Sequence, residues 1–222
     1  MLGAGPLAGL GGHSEIWTAT DELIAGRTTF GTARSPWEHY ASMYAHAMSG
    51  DPTFQTIRQY GGGSPRFDDV LYGMTHPTEA NVPDDITLFA RPRSGRPHLL
   101  RSGVGLSTWM HRYYYGLEGG WVADGFTPRS VDCLVDSRQV EMGLAQLAGL
   151  ELADVAGHPP RNTRESHPFV SDRPYADWYT DEMLDWVAEA DAPMIELMGW
   201  PAPFTAALEP LTWTKTPAWA AA

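Results

Sequence analysis

TTFGTARSPWEHYASMY (residues 28–44) passes from β-branched and aromatic residues through a Ser-Pro step into an apolar repeat of helical spacing. TTFGTA has the composition of a buried strand. In SPWE, Ser35 reads as an N-cap, Pro36 suits the first helical position, and Glu38 completes a capping box with Ser35. Trp37, Tyr40, Tyr44 and Met48 follow at spacings of three and four, which is one apolar stripe of a helix. A buried strand running into a helix is the repeating unit of α/β folds. At its joint stands Arg34.

The unit recurs at VDCLV (131–135), a second buried strand, followed by a helix from about Arg138 to Ala148. Between the two, PTFQTIRQY (52–60) reads as a short helix ending at Gly61, and GLSTWMHRYYYGL (105–117) as a longer one. Residues 61–105, rich in Gly, Pro and Arg, read as long loops around a short strand, DITLFA (85–90). HPPRNTRESHP (158–168) is loop, and TDEMLDWVAEA (180–190) is a helix capped by Thr180 and interrupted by Pro193, with MIELMGW (194–200) closing the ordered body. Alternating strands and helices predict an α/β fold with a mainly parallel sheet, whose ligands gather at the carboxyl ends of the strands.

The chain has 222 residues, enough for one sizeable core, and reads as a single domain with an irregular lead-in (1–12) and an irregular tail (205–222). Its formal net charge of -12 argues against nucleic acid or an anionic membrane as partner. Fourteen of the basic residues are arginine, and the one lysine, Lys215, lies in the tail, so cationic contacts in the body come from Arg or His. Cys133, the single cysteine, sits in the apolar run VDCLV and reads as a buried structural thiol. No run approaches the roughly 18 apolar residues of a membrane span, and the apolar start lacks the cationic region of a signal peptide, so the expectation is a soluble, cytoplasmic chain.

Arg34 follows a strand and precedes a helix start, where a guanidinium and unpaired backbone N–H groups can meet one anion. Ser42, seven positions after Ser35, lies near the same helix face. Phe30, Arg34, Pro36, Trp37, Ser42 and Tyr44 together form F-x-x-x-R-x-P-[aromatic]-x-x-x-x-S-x-Y. That pattern resembles the 3′-phosphate-binding segment of the sulfotransferases that use 3′-phosphoadenosine 5′-phosphosulfate. The resemblance implies a P-loop-nucleotide-like, three-layer α/β domain, with Arg34 and Ser42 holding the 3′-phosphate of the co-substrate and no metal.

The resemblance extends further. GGHSEIWTATDEL (11–23) is similar to the GH segment of the carbohydrate 2-O-sulfotransferase branch, which implies that His13 is the general base. An imidazole suits the task, because an attacking hydroxyl must lose its proton near neutral pH. RSGVGLSTW (101–109) resembles the family's R-K-G-x-x-G-x-W nucleotide loop, which makes Arg101 and Gly103 candidate contacts. VDCLVDSRQVEMGLAQL, PPRNT and YADWYTDEMLDWVAEADAPMIELMGW resemble the closing strand, helix, asparagine loop and final helix, so the likeness spans roughly residues 11–204. Arg138 departs from it, standing where the family usually has an acid. The acceptor implied is a hydroxyl-bearing small molecule or a carbohydrate.

The family's N-terminal strand and Gly- and Lys-containing loop for the 5′-phosphosulfate have no counterpart in these residues, and Arg27 is a candidate to substitute. The sequence leaves three explanations open: a chain that begins within a longer enzyme, a strand supplied by another protein chain, or a relative that kept the fold and lost the reaction, serving as a binding or structural component of an assembly. Each leaves a sheet edge to be covered, by residues 1–12 or by a partner. Other constellations carry less. His39 and His46 lack the i, i+4 spacing of a zinc pair, GGGSPR lacks the Lys-Ser/Thr of a P-loop, and Tyr113, Tyr114 and Tyr115 suit either a core or an acceptor cleft.

Overall fold

The strand and helix read at residues 28–44 are both present: β1 covers Phe30–Ala33 and α2 covers Pro36–Met48. The computed structural model describes residues 16–50, 52–84, 95–120, 122, 126–149, 173–205 and 211–215. A one-turn helix, α1 (Asp21–Ile24), precedes β1. After α2 come a 3₁₀ segment (Pro52–Gly61), α3 (Phe67–Thr75), α4 (Gly95–Ser102) and α5 (Leu106–Tyr115). The remainder is β2 (Cys133–Asp136), α6 (Val140–Ala148), a 3₁₀ turn (Tyr175–Trp178), α7 (Asp181–Ala190), α8 (Ala192–Met198) and β3 (Thr212–Thr214). The chain divides into two compact units, one from residues 1–33, 111–158 and 207–222, the other from 34–110 and 159–206.

The first unit holds a three-stranded sheet of order β1-β2-β3. β1 and β2 are parallel, with Phe30 opposite Cys133 and Ala33 opposite Asp136; β2 and β3 are antiparallel. The sheet is therefore mixed, not mainly parallel, because the tail returns as a strand: β3 lies within residues that read as irregular. Every residue of β2 is buried, which explains its apolar run Cys133, Leu134 and Val135; Asp136 ends the strand as a buried carboxylate. α6 approaches this strand at Gly143, where a Cβ would come within 2.9 Å of Val135.

β1, at the edge of the described sheet, alternates exposed and buried residues and is half-buried where a buried strand was expected. The Thr29 and Ala33 carbonyls accept N–H bonds from Cys133 and Ser137, so backbone alternation turns the Thr32 carbonyl to the opposite edge. The Tyr115 hydroxyl donates to that carbonyl at 2.5 Å, and the ring lies where a Gly31 side chain would stand, 2.5 Å from an added Cβ. At this point the edge is covered by an aromatic of the same unit. Residues 1–12, expected along it, lie outside the described residues.

The second unit is helical. α2 buries Trp37, Tyr40, Ala41, Met43, Tyr44, Ala45 and Ala47, so more than one stripe is inside and the helix is surrounded. Around it, Phe67 of α3 stands edge-on to Tyr44, Trp178 and Tyr179, with ring centroids 5.0–5.5 Å apart. Residues 61–105 do not form only loops, since they contain α3 and α4. DITLFA and HPPRNTRESHP lie outside the described residues. α7 starts as expected: the Thr180 hydroxyl accepts the Met183 N–H at 3.3 Å. α8 restarts with Pro193 in its first turn, and Gly199 closes it at φ 69°.

Candidate functional site

Two of the residues singled out by the sequence meet. Arg34 Nη1 donates to Ser42 Oγ at 2.7 Å, across two turns of α2. Arg34 is exposed and Ser42 is 8% exposed, so a buried hydroxyl orients a cation that faces solvent. An arginine has five donors in a planar fork, and the bond to Ser42 Oγ fixes the direction of one of them.

Ser35 does not act as read from sequence. It occupies the N-cap position, and its carbonyl accepts the His39 N–H at 2.9 Å, but its side chain makes no cap hydrogen bond and no capping box forms with Glu38. The hydroxyl is turned inward: Ser35 is 1% exposed and its Oγ is buried with no hydrogen-bond partner. An unsatisfied hydroxyl in such a position costs about 1–3 kcal/mol.

Arg101 and Gly103 are placed differently. Arg101 Nε donates to the Pro97 carbonyl of its own helix at 3.0 Å. Gly103 adopts a left-handed φ of 65° with open space around it, which makes it a turn residue. The start of α5 just beyond is occupied by protein groups. The Ser107 N–H donates to Tyr40 Oη at 3.1 Å, the Thr108 N–H to Asp191 Oδ1 at 2.7 Å, and the Trp109 N–H to the Gly105 carbonyl at 3.0 Å. A carboxylate already sits at this helix end, where a phosphate would be repelled. Gly105 is needed for packing, since a Cβ there would lie 2.5 Å from Tyr40 Oη and 2.7 Å from Asp191 Oδ2.

Asp191, between α7 and α8, is a residue whose importance the sequence did not show. Its carboxylate also accepts the Tyr40 hydroxyl at 2.7 Å, and both residues are 0% exposed. Burial, and then the Asp191 charge, push the Tyr40 phenol well above the ordinary tyrosine range, and the same two causes act on Tyr179. Both phenols stay protonated donors. The one available signal was a tyrosine in an apolar stripe, whose hydroxyl needs a partner when buried.

In the first unit Arg138, the departure from the family pattern, forks onto Asp136 at the end of β2, with Nη2 to Oδ2 at 2.8 Å and Nε to Oδ1 at 3.1 Å. Asp136 is 1% exposed, so this arginine satisfies a buried carboxylate. Tyr113 is buried and edge-on to Tyr114, and Tyr115 covers β1, so among these tyrosines packing and edge cover are the observed roles. His39 Nδ1 lies 2.9 Å from Ser107 Oγ. Among the described residues no group of three or more His, Cys, Asp or Glu could hold a metal ion, and no described helix is long and apolar enough to cross a membrane. His13 lies outside the described residues.

The joint read from residues 28–44 is thus built as a guanidinium held by a helix serine. No protein-family model, curated protein or solved structure matches the chain.

Proposed function

We infer that the chain binds a phosphorylated nucleotide through Arg34 and Ser42 and is a sulfotransferase-like α/β protein, moving a sulfuryl group from 3′-phosphoadenosine 5′-phosphosulfate to a hydroxyl of a small molecule or carbohydrate. The observation that carries this reading is the 2.7 Å bond from Arg34 Nη1 to Ser42 Oγ. The two residues whose spacing resembles the 3′-phosphate segment are in contact, with the guanidinium facing solvent. These residues fit a phosphate monoester: the arginine supplies fixed charge and in-plane donors, and the serine hydroxyl can turn its proton to the anion.

In this reading the acceptor oxygen bonds to sulfur as the bond from sulfur to the phosphate oxygen breaks, and adenosine 3′,5′-bisphosphate leaves. His13 takes the hydroxyl proton. The leaving oxygen gathers negative charge, and removing a donor that stabilises such charge typically costs about 10²–10³ in rate. Residues 1–214 contain no lysine, so among them the candidate for that task is an arginine such as Arg27, and another chain is the alternative. A second reading is a binding or structural relative in which the nucleotide site persists without transfer.

Calorimetry with adenosine 3′,5′-bisphosphate tests the site. Binding by the wild type that Arg34→Ala weakens at least tenfold supports the reading; equal binding by both proteins removes it. A sulfate-transfer assay beside a His13→Ala control separates the two versions. Turnover lost in the variant supports the enzyme, and nucleotide binding with no turnover in the wild type supports the binding relative.

A further inference from the structure

Tyr72, on α3, is the most exposed large apolar side chain among the described residues, 50% open to solvent. Its ring is nevertheless fixed. His76 lies flat on it, with centroids 4.3 Å apart and an interplanar angle of 13°, and His76 Nδ1 donates to the Tyr72 carbonyl at 3.2 Å. Trp186 of α7 stands near-perpendicular to both rings, with centroids 5.1 Å from Tyr72 and 6.0 Å from His76. A triangle with these three sides puts Trp186 beside the stacked pair, nearly at right angles to the stacking direction. The far face of Tyr72 is therefore the part left to solvent. α7 supplies charge beside it. The inner side of α7 buries Met183 and Val187, and Glu182, Asp185, Trp186 and Glu189, at i, i+3, i+4 and i+7, form one outer stripe. The three carboxylates are exposed and make no ion pair among the described residues. Arg66, at the start of α3, is already bound to Asp68.

We propose that this face of α3 and α7 docks a basic protein segment, one arginine of which stacks on the open face of Tyr72 while neighbouring cations pair with Glu182, Asp185 and Glu189. A planar, weakly hydrated guanidinium suits an aromatic face better than an ammonium does. A ring already held by His76 gives up little freedom on binding. The stripe from Glu182 to Glu189 covers about 10 Å along the helix axis, which is too long for one small ammonium ion and fits a segment carrying several cations. The formal net charge of -12 draws basic partners to the whole chain, so it is the aromatic platform that singles out this face. Arg34 and Ser42 take no part, and this face and the nucleotide site stand or fall separately.

The test is calorimetry of the full chain with a short blocked peptide of alternating Arg and Ser, and with the matching Lys peptide, at low and at physiological salt. The wild type is expected to bind the Arg peptide more tightly than the Lys peptide. Tyr72→Phe, which keeps the ring, binds like the wild type, whereas Tyr72→Ala, which changes no charge, binds about two- to fivefold more weakly at both salts. Glu182→Gln combined with Asp185→Asn and Glu189→Gln weakens binding about tenfold at low salt and less at physiological salt. Glu22→Gln combined with Glu118→Gln and Glu141→Gln, which removes three exposed acids of the other unit, leaves the affinity within about twofold. The proposal is overturned if the wild type binds neither peptide, if the two peptides bind alike, if Tyr72→Ala binds like the wild type, or if the acids of the other unit matter as much as the stripe. Self-association of the wild type that Tyr72→Ala abolishes, read by sedimentation, would assign the face to a second copy of the chain and overturn it as well.

Discussion

The Tyr40 hydroxyl donates to Asp191 Oδ2 at 2.7 Å with both residues fully closed to solvent. The other carboxylate oxygen takes the Thr108 N–H. One side chain therefore ties the helix that carries Ser42 to the start of α5 and to the break between α7 and α8. Asp191→Ala strands a phenol and a backbone N–H in the interior, and at about 1–3 kcal/mol for each the expected loss is on the order of 2–6 kcal/mol. Tyr40→Phe leaves Asp191 the Thr108 bond but deprives the Ser107 N–H of its acceptor, so a smaller loss is expected. Urea denaturation midpoints rank the two variants, and equal midpoints for Asp191→Ala and wild type would refute this role for the carboxylate.

The Tyr115 hydroxyl on the Thr32 carbonyl makes a separate prediction. Tyr115→Phe removes one hydrogen bond and should cost about 1 kcal/mol. Gly31→Ala is expected to be worse, because the new methyl would stand 2.5 Å from the Tyr115 ring, and overpacking of this kind typically costs about 1–3 kcal/mol. It should also push the ring off the edge of β1 and raise self-association, since an uncovered strand edge is a template for pairing. Sedimentation of the two variants at equal concentration checks this, with more oligomer expected for Gly31→Ala.

The two helix starts that look alike in sequence should respond in opposite ways. Thr180 caps α7 through its hydroxyl, so Thr180→Ala is expected to cost about 1 kcal/mol. Ser35 makes no such bond, and Ser35→Ala removes an unsatisfied buried hydroxyl, so stability should be unchanged or rise by about 1 kcal/mol. Thermal unfolding of both variants decides the matter, and a drop of the usual capping size for Ser35→Ala would show that its hydroxyl caps α2 after all.

The difference between those two caps also marks how far the sequence could be read. β1, α2, β2, α6 and the α7–α8 break were legible because each is set by neighbours within a few residues, such as Pro36 at a helix start or Thr180 at a cap. α3 was missed, although Phe67, Val70, Leu71 and Met74 have helical spacing, because the preceding GGGSPR drew the whole stretch toward loop. β3 was not legible, because a three-residue strand in a proline-rich tail exists only through its pairing with β2. The same holds for Asp191, whose partners Tyr40 and Thr108 are 151 and 83 positions away. In the candidate site, spacing along one helix brought Arg34 and Ser42 together. Local spacing could not reveal which way the Ser35 hydroxyl turns.

Cys133 supplies a pH prediction. Burial, and then the neighbouring Asp132 charge, push its thiol from 9.0 up to about 11. A folded-state value above the unfolded one means that the native chain holds its proton more tightly. The associated stability is fully present below about pH 9 and is lost as pH rises through about 11. Alkylation of the native protein near pH 8 should therefore be slow and should track unfolding, whereas urea-unfolded chain reacts at once. Rapid labelling of the folded protein at pH 8 would contradict the burial argument.

Arg34 and Ser42 should act on the nucleotide as a unit. Ser42→Ala leaves the guanidinium without its 2.7 Å acceptor, so the cation loses its orientation as well as a neighbouring hydroxyl. Arg34→Lys keeps the charge but replaces the planar fork with a point donor, which cannot serve the serine and an in-plane phosphate contact in the same way. Each single change is expected to weaken adenosine 3′,5′-bisphosphate by about tenfold. The double variant should lose less than the product of the two effects, because once either partner is gone the other no longer acts through the bond. A double-mutant cycle with a coupling of about 0.5–3 kcal/mol is the expected result. Strict additivity would mean that the contact does not orient the arginine for the ligand, and that the pair is a surface feature of α2.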